Sequence, residues 1–248
     1  MIVDVLTAHV LAVLFLATLV RSAFGFGEAL VAVPLLALVI PVETAAMMAA
    51  LVSVTVAALV LAQDWREVHV AGAGRLVLWT LPGIPLGLML LTMAPEPVVK
   101  SILAGVIIAF SSHALLSSRR RGLADDRWAG AFGFAAGVLG GAYGMNGPPL
   151  VIYGALRGWS PQRFRATLQG YFLPASLLVV LGYALAGLWT PTVTTYYLAS
   201  LPVVVVAILA GRAINRRLHP SRFLVWIHAG LIAIGLVLLV QAIALRRA

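Results

Sequence analysis

Gly140-Gly-Ala-Tyr-Gly-Met-Asn-Gly-Pro-Pro149 interrupts an otherwise apolar run. Residues 128–143 before its last turn carry no charge, and neither do residues 148–156 after it. Glycine permits the positive φ angles and close backbone approach that a helix break requires. Proline suits the first turn of a new helix, where its missing N–H costs nothing. The stretch therefore reads as a helix, a break and the start of a second, short helix. Crossing a hydrocarbon layer takes about 20 mostly apolar residues, so the short arm does not span alone. Backbone that is not helical at membrane depth must be buried in protein or line a cavity.

The same pattern occurs earlier. Ser22-Ala-Phe-Gly-Phe-Gly-Glu28 follows a long apolar block, 3–24, and precedes a short one, 29–40. Gly25-Phe-Gly-Glu-Ala-Leu30 aligns with Gly144-Met-Asn-Gly-Pro-Pro149, and Pro82 aligns with Pro202 at nearly the same offset. Further apolar blocks fall at 45–62, 76–93 and 98–116 in the first half, and at 166–188, 193–210 and 223–245 in the second. The order and rough lengths match, which predicts an internal duplication. The expected fold is an all-α integral membrane protein. It would have two inverted repeats, each a glycine-broken helix pair plus three transmembrane helices. Residues 1–118 form the first repeat, 119–127 a cytoplasmic linker and 128–248 the second.

Composition supports this. Apolar residues make up 62% of the 248 positions and charged residues 10%, where soluble domains carry about a quarter charged. The first block lacks a basic leader and a clear cleavage site, and reads as a retained helix. The net charge is +9, with Lys100 the single lysine. The arginines sit between apolar blocks, as the positive-inside rule places them, and form no basic face for nucleic acid. Arg119-Arg120-Arg121 and the segments 64–75, 157–165 and 212–222 are expected in the cytoplasm, and the nearly uncharged turns 93–97 and 187–192 outside. Block 76–93 then runs outward and its counterpart inward, so the halves are inverted. The same tracing puts Arg246 and Arg247 outside, against the rule. The tryptophans mostly lie near block ends, as an aromatic belt requires.

Several chemistries are excluded. Without cysteine there is no disulfide, thiolate metal site or Cys nucleophile. There is no phosphate-binding loop of the G-x-x-x-x-G-K-[ST] type and no H-E-x-x-H zinc motif. The eight acidic residues are scattered, unlike a metal-cation pathway. No catalytic residue, metal site or cofactor is expected. An anion is the better passenger. Each break leaves N–H groups at the start of a short helix, where the partial positive charge holds anions. Gly25, Gly27, Gly144 and Gly147 would shape these turns, although glycines also serve close helix packing in membranes. Arg21, just before the first break, offers a planar fork to an oxyanion, or else marks the cytoplasmic end of the first helix. Glu28 pairs with Arg21, caps the short helix or carries a coupling proton, with pairing or capping favoured. Asn146, Gln169 and Tyr143 are neutral groups suited to an anion that must be released, Asn146 foremost. Tyr153 and Tyr171 are further polar groups in the second half, and His113 reads as interfacial.

The motifs Gly25-Phe-Gly-Glu-Ala-Leu-Val-Ala-Val-Pro34 and Gly140-Gly-Ala-Tyr-Gly-Met-Asn-Gly-Pro-Pro-Leu150 resemble the two signatures of the sulfite exporter TauE/SafE family. Asp64-Trp65-Arg66 and Pro82-Gly83-Ile84-Pro85-Leu86-Gly87 also look like that family. The resemblance runs over essentially the whole chain. It implies a duplicated helical permease for sulfite, sulfonates and related small anions. One departure is Glu28, where family members often have a third glycine. The expected function is a secondary transporter of a small sulfur-containing anion in the bacterial inner membrane, working by alternating access. Its partners are the anion and membrane lipid; proton or ion coupling and a homo-oligomer stay open. A channel-like anion pore and a non-transporting membrane scaffold are the alternatives.

Overall fold

A computed structural model describes residues 5–64, 70–116, 127–217 and 220–247. All regular structure among them is helical. The first half contains α1 (Val5–Phe24), α2 (Glu28–Leu36), α3 (Val42–Asp64), α4 (Val70–Thr80), α5 (Gly83–Met93) and α6 (Glu96–Leu116). The second contains α7 (Ala129–Tyr143), α8 (Gly147–Leu156), α9 (Pro161–Leu185), α10 (Pro191–Arg217) and α11 (Pro220–Arg247). Most of the linker, the Trp65-Arg66 motif and the Arg119–Arg121 cluster lie outside the described residues.

Five helices are long and apolar enough to cross a membrane, and six if α4 and α5 count as one bent span. Block 76–93, expected as one continuous helix, is instead two helices meeting at 44°. Pro82 and Pro85 flank Gly83 there, and each proline removes an N–H and crowds the carbonyl four residues back. The counterpart Pro202 stands alone between leucine and valine and leaves α10 unbroken. One proline in a packed helix is tolerated where two and a glycine are not.

Burial separates centre from rim. The apolar span of α3 is 67% buried, those of α10 and α11 only 28%. Small side chains let neighbours approach α3: Ala45, Ala46, Ala49 and Ala50 are all buried, with Met47 and Met48 filling the gaps. The outer helices turn Leu198, Val206, Leu209, Leu236 and Val240 outward, an apolar exterior suited to lipid. The main packing pairs exchange with the halves. Helix α1 packs on α10, and α7 packs on α4 and α5; α3 meets α9 and α6 meets α11.

Two glycine ladders allow the closest of these approaches. A Cβ on Gly87 would overlap the Val138 carbonyl, and one on Gly141 the Ile84 carbonyl; Gly83 and Gly137 are equally tight. Gly83-x-x-x-Gly87 on α5 thus docks on Gly137-x-x-x-Gly141 on α7, while Gly133 admits the Leu76 carbonyl of α4. This is the small-residue packing that membranes favour, where hydrophobic burial gives little drive.

Candidate functional site

The helix breaks form where glycine makes them cheap. Gly25 has φ 85°, Gly27 98° and Gly144 63°, all in the region L side chains avoid. Gly27 is the N-cap of α2, and Gly144 ends α7. Asn146 is the N-cap of α8, and Pro148 and Pro149 stand in its first turn. Those prolines carry no N–H, so the turn presents fewer backbone donors than an ordinary helix start. Gly147 is not at positive φ, and a Cβ there would meet only the Phe172 ring at 3.8 Å. Its backbone therefore does not demand glycine, unlike Gly144 in the same turn.

The two short helices touch, and between the breaks lies a small cavity. Both halves line it. The first supplies Arg21, Phe26, Gly27, Glu28 and Ser53; the second supplies Gly144, Met145, Asn146, Gly147 and Phe172. Of the predicted residues, Arg21, Gly27, Glu28, Gly144, Asn146 and Gly147 therefore converge. Gly25 shapes the turn from behind, its N–H bonded to the Arg21 carbonyl at 2.6 Å. Tyr143 faces away, donating its hydroxyl to the Val99 carbonyl at 2.9 Å. Gln169 falls on α9, but its side chain lies outside the described residues. Tyr153 packs against Phe132 and Trp159, and His113 is exposed at the end of α6.

Arg21 is 3% exposed, so it is a buried group and no surface topology signal. Its Nη1 donates to Glu28 Oε2, and to Ser53 Oγ at 2.6 Å; Ser53 lies 3.0 Å from Ser176 Oγ. The guanidinium carbon sits 4.8 Å from the Phe172 ring centre, a cation–π arrangement. This holds the fork rigidly while leaving one edge unused. Arg21 Nε and Nη2 have no hydrogen-bond partner among the described residues, nor has Glu28 Oε1. Buried polar atoms are normally paired, so unused ones on residues that line a cavity mark a place for a ligand.

The second break adds a neutral donor. Counting back from Gly25 and from Gly144 by the same interval reaches Arg21 in one half and Gly140 in the other. The Asn146 side chain lies over Gly140, where an added Cβ would come within 3.0 Å of Oδ1. Tyr171, bonded to Thr80 at 2.7 Å, also hydrogen-bonds the Asn146 side chain, and Asn146 Nδ2 remains without a partner. Tyr183 closes the break: its hydroxyl accepts the Gly144 N–H at 2.9 Å and donates to the Gly140 carbonyl at 3.0 Å. The Gly144 N–H also donates to the Gly140 carbonyl at 2.7 Å, so Tyr183→Phe is expected to remove the hydroxyl's two bonds without orphaning either backbone group, and to destabilise the protein by about 1 kcal/mol. Thermal unfolding in detergent should report a lower midpoint, and an unchanged midpoint would remove Tyr183 from this role.

Sequence reading missed Ser53, Phe172 and Tyr183. Ser53 left a signal, being a polar group inside an apolar span. Phe172 and Tyr183 left none, because aromatic residues are ordinary in α9-like segments until their neighbours are known.

Comparison with known proteins agrees with the geometry. The family model described as sulfite exporter TauE/SafE matches residues 10–238. The protein named "Probable sulfite/organosulfonate exporter TauE" from Cupriavidus necator is 28% identical over 235 residues, covering 90% of this chain and 89% of its own. No solved structure matches. With helices long enough to cross a membrane several times and a family match over nearly its whole length, the chain belongs to the sulfite exporter TauE/SafE family, whose members are exporters and not enzymes.

Proposed function

We propose that the protein is a secondary transporter of a small sulfur-containing anion, sulfite or an organosulfonate, in a bacterial inner membrane. The observation that carries this reading is that two residues lining one cavity from the two halves, Arg21 and Asn146, keep unpartnered donors, Nε and Nη2 on the first and Nδ2 on the second. A guanidinium edge matches two oxygens of a sulfite or sulfonate group. The amide supplies a further hydrogen bond without charge, which favours release. A scaffold would have no use for such donors, and the family's description supports sulfur oxyanions as the passenger.

The transport cycle we propose is alternating access about this cavity, by two inverted repeats rocking against each other. Its support is the exchange of packing partners between halves, α1 on α10 against α7 on α4 and α5. Because the chain has no cysteine, single cysteines report topology without interference. Ala94→Cys and Gly187→Cys should react from outside, Ala213→Cys from inside. Labelling of positions 94 and 213 from the same side would overturn the inverted arrangement.

Uptake of labelled sulfite and sulfonates into proteoliposomes tests the function. The expected result is saturable uptake that Asn146→Ala weakens about tenfold, the loss of about 1.4 kcal/mol from one hydrogen bond to a charged ligand. Folded yield should hardly change. Saturable uptake of neither anion would defeat the transport reading, and wild-type affinity in Asn146→Ala would remove this residue from the site.

A further inference from the structure

We propose that Glu28 is a built-in competitor for the anion, so that one proton enters the site with each monoanion and the two are carried together. This rests on the transport reading above and adds its coupling. Glu28 Oε2 takes Arg21 Nη1, and both side chains are 3% exposed as residues. The carboxylate also stands in the first turn of α2, where the helix end would otherwise favour an external anion. The equivalent position in the second half is Gly147, which offers no such group. The first half thus arrives with its anion already attached.

Charge balance limits which states of the site can cross. The empty site holds Arg21 positive and Glu28 negative, and is neutral. Adding a monoanion alone would leave a net negative charge in a dry interior, which is costly. Protonating Glu28 alone would leave Arg21 uncompensated, equally costly. Adding both restores neutrality: Glu28 carboxylate, a proton and the anion become Glu28 carboxylic acid and an anion bound to Arg21. The two unpartnered guanidinium donors receive the anion. On release the acid loses its proton, the carboxylate re-pairs with Arg21, and the anion leaves. Only the empty and the doubly loaded states are neutral, so only these cross readily. Transport is therefore electroneutral symport of proton and monoanion, and anion affinity rises as pH falls.

Few other ionisable groups face Glu28. From α1 there is Arg21, and α3 offers the hydroxyl of Ser53. Helix α8 and its N-cap contribute Asn146 and no ionisable side chain to the cavity, and α9 contributes the Phe172 ring; the side chains of Arg163 and Arg165 on α9 lie outside the described residues. From α11, His228 lines a separate apolar cavity behind Phe26 and Gly27, and its Nδ1 lies 3.3 Å from Ser111 Oγ of α6. On α6, Lys100 pairs with Glu96 at 3.0 Å. His228 is the group to control against.

The test uses methanesulfonate, a monoanion throughout the workable pH range, in proteoliposomes holding a pH-sensitive dye. Wild-type protein should take up one proton per methanesulfonate. The initial rate should rise as external pH falls, and should not respond to a valinomycin potential of about 100 mV, which would act on any net charge moved. Glu28→Gln should retain exchange of labelled for unlabelled methanesulfonate but lose proton uptake and at least tenfold of net uptake, because its empty site is charged. His228→Ala should keep the coupling. Anion uptake without protons, or a rate that follows the potential, overturns the proposal in the wild type alone, whether or not Glu28→Gln folds. Coupling that survives Glu28→Gln, or is lost in His228→Ala, overturns it too. Absence of both exchange and uptake for every sulfur anion tried would instead sink the transport reading itself, and the proposal with it.

Discussion

Arg21→Gln should abolish measurable anion binding and lower the stability of the protein. Two physical effects combine. The ligand loses the two guanidinium donors left without a partner, Nε and Nη2. Glu28, 3% exposed, loses its counter-charge and part of its hydrogen bonding. Removing one partner of a buried ion pair costs about 3–5 kcal/mol, mostly because the other is left uncompensated. Arg21→Lys separates the two effects. An ammonium keeps the charge near Glu28 but lacks the planar fork, so stability should largely survive while affinity falls at least about tenfold. The double change of Arg21→Gln with Glu28→Gln should recover much of the stability and none of the binding. Isothermal titration with sulfite and thermal unfolding in detergent measure the two quantities. Normal affinity in both single variants would return Arg21 to a structural role.

Gly87→Ala is the second change with a large expected effect, and it lies away from the cavity. The added Cβ would overlap the Val138 carbonyl and crowd Ala142 N at 2.6 Å. These are backbone atoms of α7, which no rotamer change relieves. The α5–α7 contact must open, so a loss above about 3 kcal/mol is expected, at the upper end of overpacking costs. Gly74→Ala and Gly230→Ala are the matched controls, since a Cβ at either meets nothing within 4 Å. Each control should be neutral or slightly stabilising, because alanine is the better helix former. Folded yield and melting temperature decide the matter. A stable Gly87→Ala would mean that α5 and α7 are not held at this distance.

How a glycine acts was only half legible in sequence. Gly25, Gly27 and Gly144 were read as breaks from their place between apolar arms, and they adopt positive φ. Gly140 and Gly141 belong to the same string, yet they do different things. Gly141 admits the Ile84 carbonyl of another helix, and Gly140 makes room for the Asn146 side chain. A break is a local property of the chain, whereas a close approach depends on which helix arrives.

The amino-acid sequence by itself determined the order of the apolar segments and the positions of the two glycine breaks, though not the bend at Pro82-Gly83 within block 76–93. Bilayer thickness converts a count of apolar residues into a helix, and glycine and proline mark where backbone hydrogen bonding stops. Both are decided within about 20 residues of chain, so no partner need be known. Tertiary structure alone decided the rest. It turned Arg21 from the end of α1 toward Glu28, Ser53 and Phe172, and it turned Tyr143 away to Val99. It laid the Asn146 side chain over Gly140, brought Tyr183 to the second break, and set Gly87 against α7. Ser53 and Ser176 meet across 123 residues of chain. Such contacts arise where α3 and α9 cross at the centre, and the crossing is set by shape between helices that no local pattern encodes.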